Sequence, residues 1–200
     1  MSGLAIPLAL LAAYVVGSID FAVIVARMHG VDIHQAGSGN PGTSNVLRTL
    51  GRVPAAMVLV GDMFKGTVGA AMGMVASGVS DPMGPWAFAA GFAAVVGHCY
   101  PVFHKFKGGK GVATGAGVLL FTVPLAAAIE LALWGTIVKL TKTASIGSLV
   151  ILVITIPILI WQDVRGVSLV WVALLIALIV WRHRGNIQRM VAGREPKVTT

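Results

Sequence analysis

The sequence predicts an all-α integral membrane protein with seven transmembrane helices, two of them short, with its N-terminus outside and its C-terminus cytosolic. Three observations carry this. Of the 200 residues, 56% are apolar and only 11% charged, with a mean hydropathy of +0.88, far from the makeup of a soluble domain. The apolar residues form long runs, Leu4 to Ala26, Val53 to Ala76, Gly84 to Tyr100, Val112 to Val138, Ile146 to Trp161 and Val167 to Trp181, several of them long enough to cross about 30 Å of hydrocarbon. Lys and Arg collect between the runs, at Arg27 to Arg52, Lys105 to Lys110, Lys139 with Lys142, and Arg182 to Lys197. The positive-inside rule assigns all of these segments to the cytosol.

The helices follow in order from that assignment. The N-terminus, Met1-Ser2-Gly3-Leu4, lacks the positive flank of a cleaved signal peptide, so the first helix is expected to stay and to run from the outside to the first basic loop. The second, Val53 to Ala76, leads to Ser77 to Pro82, where Asp81 is the one charge. The third returns to Lys105 to Lys110. Two successive basic loops on one side need an even number of crossings between them, so Gly111 to Val138 must go and come back. Pro124 lies near its middle, lacks an N–H and clashes with the preceding turn, so reversal is expected at Thr122-Val123-Pro124. Each arm would have about 12 to 15 residues, hence about 18 to 22 Å, less than a full span, and the bilayer would thin there. The same parity puts the turn Gln162 to Gly166 outside, although Arg165 dilutes that placement. One unbroken helix from Gly111 to Val138 would leave the basic tail outside, against the charge rule.

Residues 1–200 read as a single transmembrane domain. The formal charge of +8 suggests nucleic acid at first sight, but the cations lie between hydrophobic runs rather than on an amphipathic face, so no nucleic-acid partner is expected. Cys99 is the sole cysteine and excludes an intrachain disulfide.

Three polar stretches carry chemistry. In the first, Gly37-Ser38-Gly39-Asn40-Pro41-Gly42-Thr43-Ser44-Asn45-Val46-Leu47-Arg48, a glycine-dense turn can aim several backbone N–H groups at one anion. A helix beginning near Thr43 would add its positive end. Gly37, Gly39 and Gly42 formally match G-x-G-x-x-G, yet no strand precedes them and Pro41 interrupts the turn, so dinucleotide binding is excluded. In the second, His98 to Thr114, a basic loop runs into a helix start. A phosphate-binding Walker loop needs Gly at position 104 and Ser or Thr at 111, where this chain has His104 and Gly111. What remains is an anion cradle in which Lys107 or Lys110 supplies charge, and Gly108, Gly109 and Gly111 allow close backbone approach. The third, Trp181 to Glu195, contains Arg182 and Arg184, read as anchors to anionic lipid, together with His183 and Asn186 at a spacing that shares a helical face, and Glu195.

Within the hydrophobic runs, Asp62 and Lys65 lie three apart and can pair. They read equally as a structural ion pair and as the floor of a ligand site, with His98 as a further supporting residue. Asp20 and Glu130 are also submerged and are expected to have partners in the bundle. His98 beside Cys99 is a poor nucleophile pair, because adjacent helical residues point apart.

Taken together, Gly37 to Arg48, His98 to Thr114 and His183 to Glu195 resemble the bacterial acyl-phosphate-dependent glycerol-3-phosphate acyltransferases, the PlsY family. The likeness covers nearly the whole chain, with Asp62 and Lys65-Gly66 as a further shared feature; Thr43 departs from the alanine expected after Pro-Gly. The resemblance implies transfer of an acyl group from acyl phosphate to the 1-hydroxyl of glycerol 3-phosphate, giving lysophosphatidic acid in the inner membrane, with the active site on the cytosolic side. It implies no cofactor, no metal and no obligate protein partner beyond membrane lipids. By position, Ser38, Arg48, Lys107 or Lys110, Ser145, His183 and Asn186 would contact phosphate and glycerol, with Gly37, Gly39, Asn40, Gly42, Thr43, Asn45, Gly108, Gly109, Gly111 and Thr114 completing the binding loops. The His-x-x-x-x-Asp signature of acyl-CoA-dependent enzymes is absent, since His29, His34, His98, His104 and His183 are followed at that spacing by His34, Gly39, Phe103, Gly109 and Gln188. A carrier for phosphate esters is the non-enzyme alternative, but it calls for repeated halves and midplane binding groups, and the sequence shows neither.

Overall fold

The computed structural model describes residues 3–198; Met1 and Ser2, where the expectation of an uncleaved N-terminus begins, lie outside them. The described chain is helical: α1 (Ala5–Gly17), α2 (Phe21–Met28), α3 (Thr43–Leu50), α4 (Arg52–Ser77), α5 (Pro85–Cys99), α6 (Val112–Thr122), α7 (Pro124–Thr141), α8 (Ala144–Trp161), α9 (Val167–Arg182) and α10 (Arg184–Val191), with a short 3-10 turn at Val102–His104. Among the described residues five segments are long and apolar enough to cross a membrane, namely α1 with α2, α4, α5 with the 3-10 turn, α7 and α8; α9 and α10, bent by 52°, reach that length only if the pair is counted as one span.

The break at Pro124 occurs where expected. Thr122 ends α6 and Pro124 opens α7, a position where the missing N–H leaves no bond unmade. The lengths differ from expectation, because α6 has 11 residues but α7 has 18. The extension runs through Lys139 and Thr141, and α7 stops only where Lys142 turns left-handed at φ 57°. Of these two arms, only α6 is therefore too short to span.

The first hydrophobic run is interrupted at Ser18, Ile19 and Asp20, where Asp20 caps α2 by accepting from the Val23 N–H at 3.1 Å. In hydrocarbon, backbone groups released by such a break need protein partners. Lys65 meets one of them, donating from Nζ to the Ile19 carbonyl at 2.8 Å. Its charge is balanced by Asp62 at 2.8 Å, with the two side chains only 1% and 2% exposed. The Asp62 carboxylate also lies 3.5 Å from His98 Nδ1 at the end of α5. One buried pair thus joins the first span, α4 and α5.

Around it, α4 packs on α1, α5 and α6. Gly66 of α4 and Gly117 of α6 permit this closeness, since a Cβ on either would run into the opposite backbone, at the Thr114 and Met63 carbonyls. The largest apolar cluster joins Phe88, Val95 and Cys99 of α5 to Val118 and Leu119 of α6 and Val172 of α9. Cys99 is fully enclosed there. The expectation that Asp20 and Glu130 have partners holds in part: Asp20 Oδ1 caps α2, and Thr155 of α8 lies within hydrogen-bonding reach of the Glu130 carboxyl. Asp20 Oδ2 and Glu130 Oε1 are buried with none, and for Glu130 the reason is its place on a cavity wall.

Replacing Asp62 by Ala strands the Lys65 cation, which is expected to cost about 3–5 kcal/mol and to lower the thermal unfolding temperature in detergent. Asp62→Leu combined with Lys65→Met is expected to recover only part of that loss, because the Ile19 carbonyl then lacks its donor.

Candidate active site

A cavity of about 490 Å³ opens between the α3 loop, the segment before α6, the start of α8 and the α9–α10 bend, then continues inward between apolar helices. From the first loop it is lined by Ser38, Asn40, Gly42, Thr43, Asn45 and Arg48. The helix does begin at Thr43, with Gly42 before it in extended conformation. Asn45 braces the loop from within: its Oδ1 accepts from the Ser38 N–H at 2.8 Å, and its Nδ2 donates to the Ala36 carbonyl at 2.9 Å. Gly37 and Gly39 do not line the cavity; their left-handed φ values of 57° and 69° turn the chain, and a Cβ on Gly37 would strike the Asn45 side chain. Arg48 is held by the Lys197 carbonyl and by Asn45 Oδ1, each at 3.4 Å.

In the second stretch, Lys107 is exposed and away from the cavity, whereas Lys110 lines it and donates to Asn186 Oδ1 at 2.6 Å. Gly108 and Gly109 do not act as an open anion cradle. The Gly109 N–H is taken by the His98 carbonyl at 3.1 Å, and a Cβ on either glycine would collide with His98. Their carbonyls instead accept from Arg182, Gly108 from Nη2 at 2.7 Å and Gly109 from Nε at 3.0 Å. The expected lipid anchor Arg182 is therefore a clamp on this loop, stacked 5.0 Å from the Tyr100 ring; a planar two-pronged donor is what two neighbouring carbonyls need. Arg184 stays exposed above Trp181, at the cavity rim. Gly111 turns the chain at φ 91° and lines the cavity. Thr114 does not reach it, being fully buried against α4 beneath Gly66.

His183 sits in the α9–α10 bend, 2% exposed, with Nδ1 2.8 Å from the Ile179 carbonyl. That contact requires the proton on Nδ1 and leaves the Nε2 lone pair for a ligand. Asn186 donates from Nδ2 to Glu195 Oε1, which also accepts from Ser145 Oγ at 2.8 Å, while Oε2 accepts from Arg189 Nε at 2.8 Å. The chain end follows the same path, with the Val198 N–H donating to the Lys142 carbonyl at 2.6 Å. Glu195 is therefore the joint between α8, α10 and the tail. Arg189 was not singled out in the sequence, and its signal is weak: only the fold-back of the tail brings Glu195 to it.

Burial pushes the Lys110 ammonium down to about 8, with Glu195 opposing and Arg189, Arg182 and Arg48 adding to the fall. Burial raises the Glu195 carboxyl, but hydrogen bonds from Asn186, Ser145 and Arg189 outweigh it and hold the group below the ordinary carboxylate range. Arg48, Lys110, Arg182 and Arg189 thus face one ionised carboxylate, which leaves the mouth net positive. Deeper in, Asp62 and His98 reach the wall, followed by Leu119, Leu152, Val172 and Ile179. Among the described residues, no cluster of three or more His, Cys, Asp or Glu is placed to hold a metal.

Fold and cavity together define a polytopic membrane protein shaped for a molecule that is anionic at one end and apolar along its length. The sequence matches the family described as glycerol-3-phosphate acyltransferase over residues 7–193, and the chain belongs to that family. It is 42% identical over 184 residues to a glycerol-3-phosphate acyltransferase of Pseudomonas syringae pv. tomato, covering 92% of this chain and 93% of the relative. It is likewise 42% identical to one from Halorhodospira halophila, with 92% of each covered. A crystal structure of PlsY (YgiH), an integral membrane glycerol 3-phosphate acyltransferase in its glycerol 3-phosphate form, superposes with a TM-score of 0.90 at 34% identity, covering 98% of this chain and 96% of that one. The lysophosphatidic acid form of the same protein gives 0.87.

With its ammonium pushed down to about 8 by burial, Lys110 loses its positive charge progressively as pH rises through that value. The affinity for glycerol 3-phosphate, measured by calorimetry, is accordingly expected to fall as pH rises through 8. Lys110→Met is expected to bind weakly with no such alkaline decline.

Proposed function

We propose that this chain transfers a fatty acyl group from acyl phosphate to the 1-hydroxyl of sn-glycerol 3-phosphate, forming lysophosphatidic acid and inorganic phosphate, the first acylation of phospholipid biosynthesis. The observation that carries the reading is the single cavity whose cationic mouth, with Arg48, Lys110 and Arg182, runs directly into an apolar slot. Both substrates bring a phosphate, and one brings a tail. Membership of the acyltransferase family supports the acceptor, while the likeness of the three polar stretches to the acyl-phosphate-dependent enzymes supports the donor, whose mixed anhydride needs no nucleophile from the protein.

Acyl phosphate is a mixed anhydride with a good leaving group already in place. The glycerol hydroxyl oxygen attacks the acyl carbon, the new ester C–O bond forms, and the bond from that carbon to the phosphate oxygen breaks. A phosphate oxygen takes the hydroxyl proton. Lys110 and Arg48 neutralise phosphate charge, and Ser38 and Thr43 offer hydroxyls at the α3 end. His183 Nε2, Asn186 and Ser145 position the glycerol moiety. Holding both reactants together supplies orientation, and each charged contact contributes about 1.5–3 kcal/mol.

The basic segments also support a topology of seven crossings in a bacterial inner membrane, with the mouth facing the cytosol. Arg48, Lys110, Ser145 beside Lys142, and His183 gather at one end of the bundle, where the positive-inside rule places all of them.

Purified protein in detergent, given labelled palmitoyl phosphate and glycerol 3-phosphate, is expected to yield lysophosphatidic acid, and palmitoyl-CoA in place of the phosphate is expected to yield none. Equal use of the thioester would overturn the donor assignment. His183→Ala and Asn186→Ala are expected to lower kcat/KM about tenfold to hundredfold, chiefly through KM for glycerol 3-phosphate. Lost turnover with intact binding would instead mean that the protein carries the proton.

A further inference from the structure

The inner part of the cavity holds a group that acyl transfer does not use. Glu130 of α7 is 6% exposed and lines the slot, and its Oε1 has no hydrogen-bond partner. None of the salt bridges among the described residues includes it. The polar groups around it are already engaged. Trp134, one turn along α7, donates to Ser148 Oγ at 3.2 Å, and Ser148 donates to the Ala144 carbonyl at 2.9 Å. Thr155 is within hydrogen-bonding reach of the Glu130 carboxyl, but its hydroxyl donates to the Ile151 carbonyl at 3.0 Å and Oε1 is left without a donor. The remaining wall there, with Ala127, Leu131 and Leu152, is apolar.

Position matters as much as polarity. Thr155 lies about 15 Å along α8 from Ser145 at the mouth, close to half of a hydrocarbon core of about 30 Å. A tail seated in the slot with its reacting end beside Ser145 and Asn186 therefore passes Glu130 in mid-chain. Methylenes at that level displace any water and leave an oxygen buried with no donor. A hydroxyl at that level supplies the donor, and a carboxyl accepts from it in either protonation state.

We propose that Glu130 is a specificity-determining residue of the acyl slot, selecting a chain that carries a mid-chain hydroxyl over a saturated chain of the same length. The proposal rests on the acyl-transfer reading of the cavity. The nearest alternative is that water held at Glu130 satisfies it whatever chain is bound.

The test compares kcat/KM for octadecanoyl phosphate with that for a series of octadecanoyl phosphates bearing one hydroxyl at successive mid-chain carbons, in the wild type and in Glu130→Leu. The best hydroxylated donor is expected to gain about tenfold over the saturated one in the wild type relative to the variant. The same ratio in both proteins overturns the proposal and favours the resident water. A wild type that favours no hydroxylated donor at any position overturns it without recourse to a variant. Failure of the wild type to use either donor removes the acyl-transfer reading, and this inference with it, a result distinct from turnover without selectivity.

Discussion

The buried pair of Asp62 and Lys65 is the constraint from which the rest of the molecule follows. A helix broken at Ile19 exposes a carbonyl in hydrocarbon, and Lys65 is the donor that makes the break tolerable. A lone ammonium at that depth is itself costly, so Asp62 must accompany it. Asp62 in turn faces His98, whose ring packs on Gly109 and whose carbonyl takes the Gly109 N–H. From a pair inside the membrane, contacts therefore run without interruption to the loop that carries Lys110.

At the mouth the arrangement is one of cations held still. Arg182 grips the carbonyls of Gly108 and Gly109, and Lys110 is fixed by Asn186. Glu195 then ties Asn186 to Ser145 and Arg189. Such a site loses little on binding an anionic ligand, because its charges are already oriented and only partly compensated. Preorganisation of this kind suits the acyl transfer proposed above, whose leaving group is good and whose difficulty lies in aligning two like-charged molecules. The glycines act less as direct phosphate cradles than as spacers, letting the loop lie against His98 and α6 lie against α4.

Several features were legible in the sequence because they are local. Pro124 cannot continue a helix, Thr43 follows a turn rich in glycine, and Asp62 and Lys65 share a face at three residues' spacing. Hydrophobic length and the distribution of Lys and Arg reveal membrane residence in the same way. The motif residues His183 and Asn186 stood close enough in the chain to be read as one unit, and both line the cavity.

What only the tertiary structure decided is which distant groups meet. Lys107 and Lys110 are equivalent as sequence, yet one lies in the open and the other reaches Asn186. Arg182 looks like any basic residue after a membrane helix until its fork is seen on two carbonyls, and Thr114 looks like a ligand until α4 covers it. Glu195 meets Ser145 across a long stretch of chain, and Glu130, with Thr155 of α8 beside it, still keeps one oxygen without a partner on the cavity wall. The sequence by itself determined the apolar runs, the break at Pro124 and the chemistry available, since backbone dihedrals and hydrophobic transfer act over neighbouring residues. Packing alone chose the partners, because contact between remote side chains depends on how whole helices approach one another.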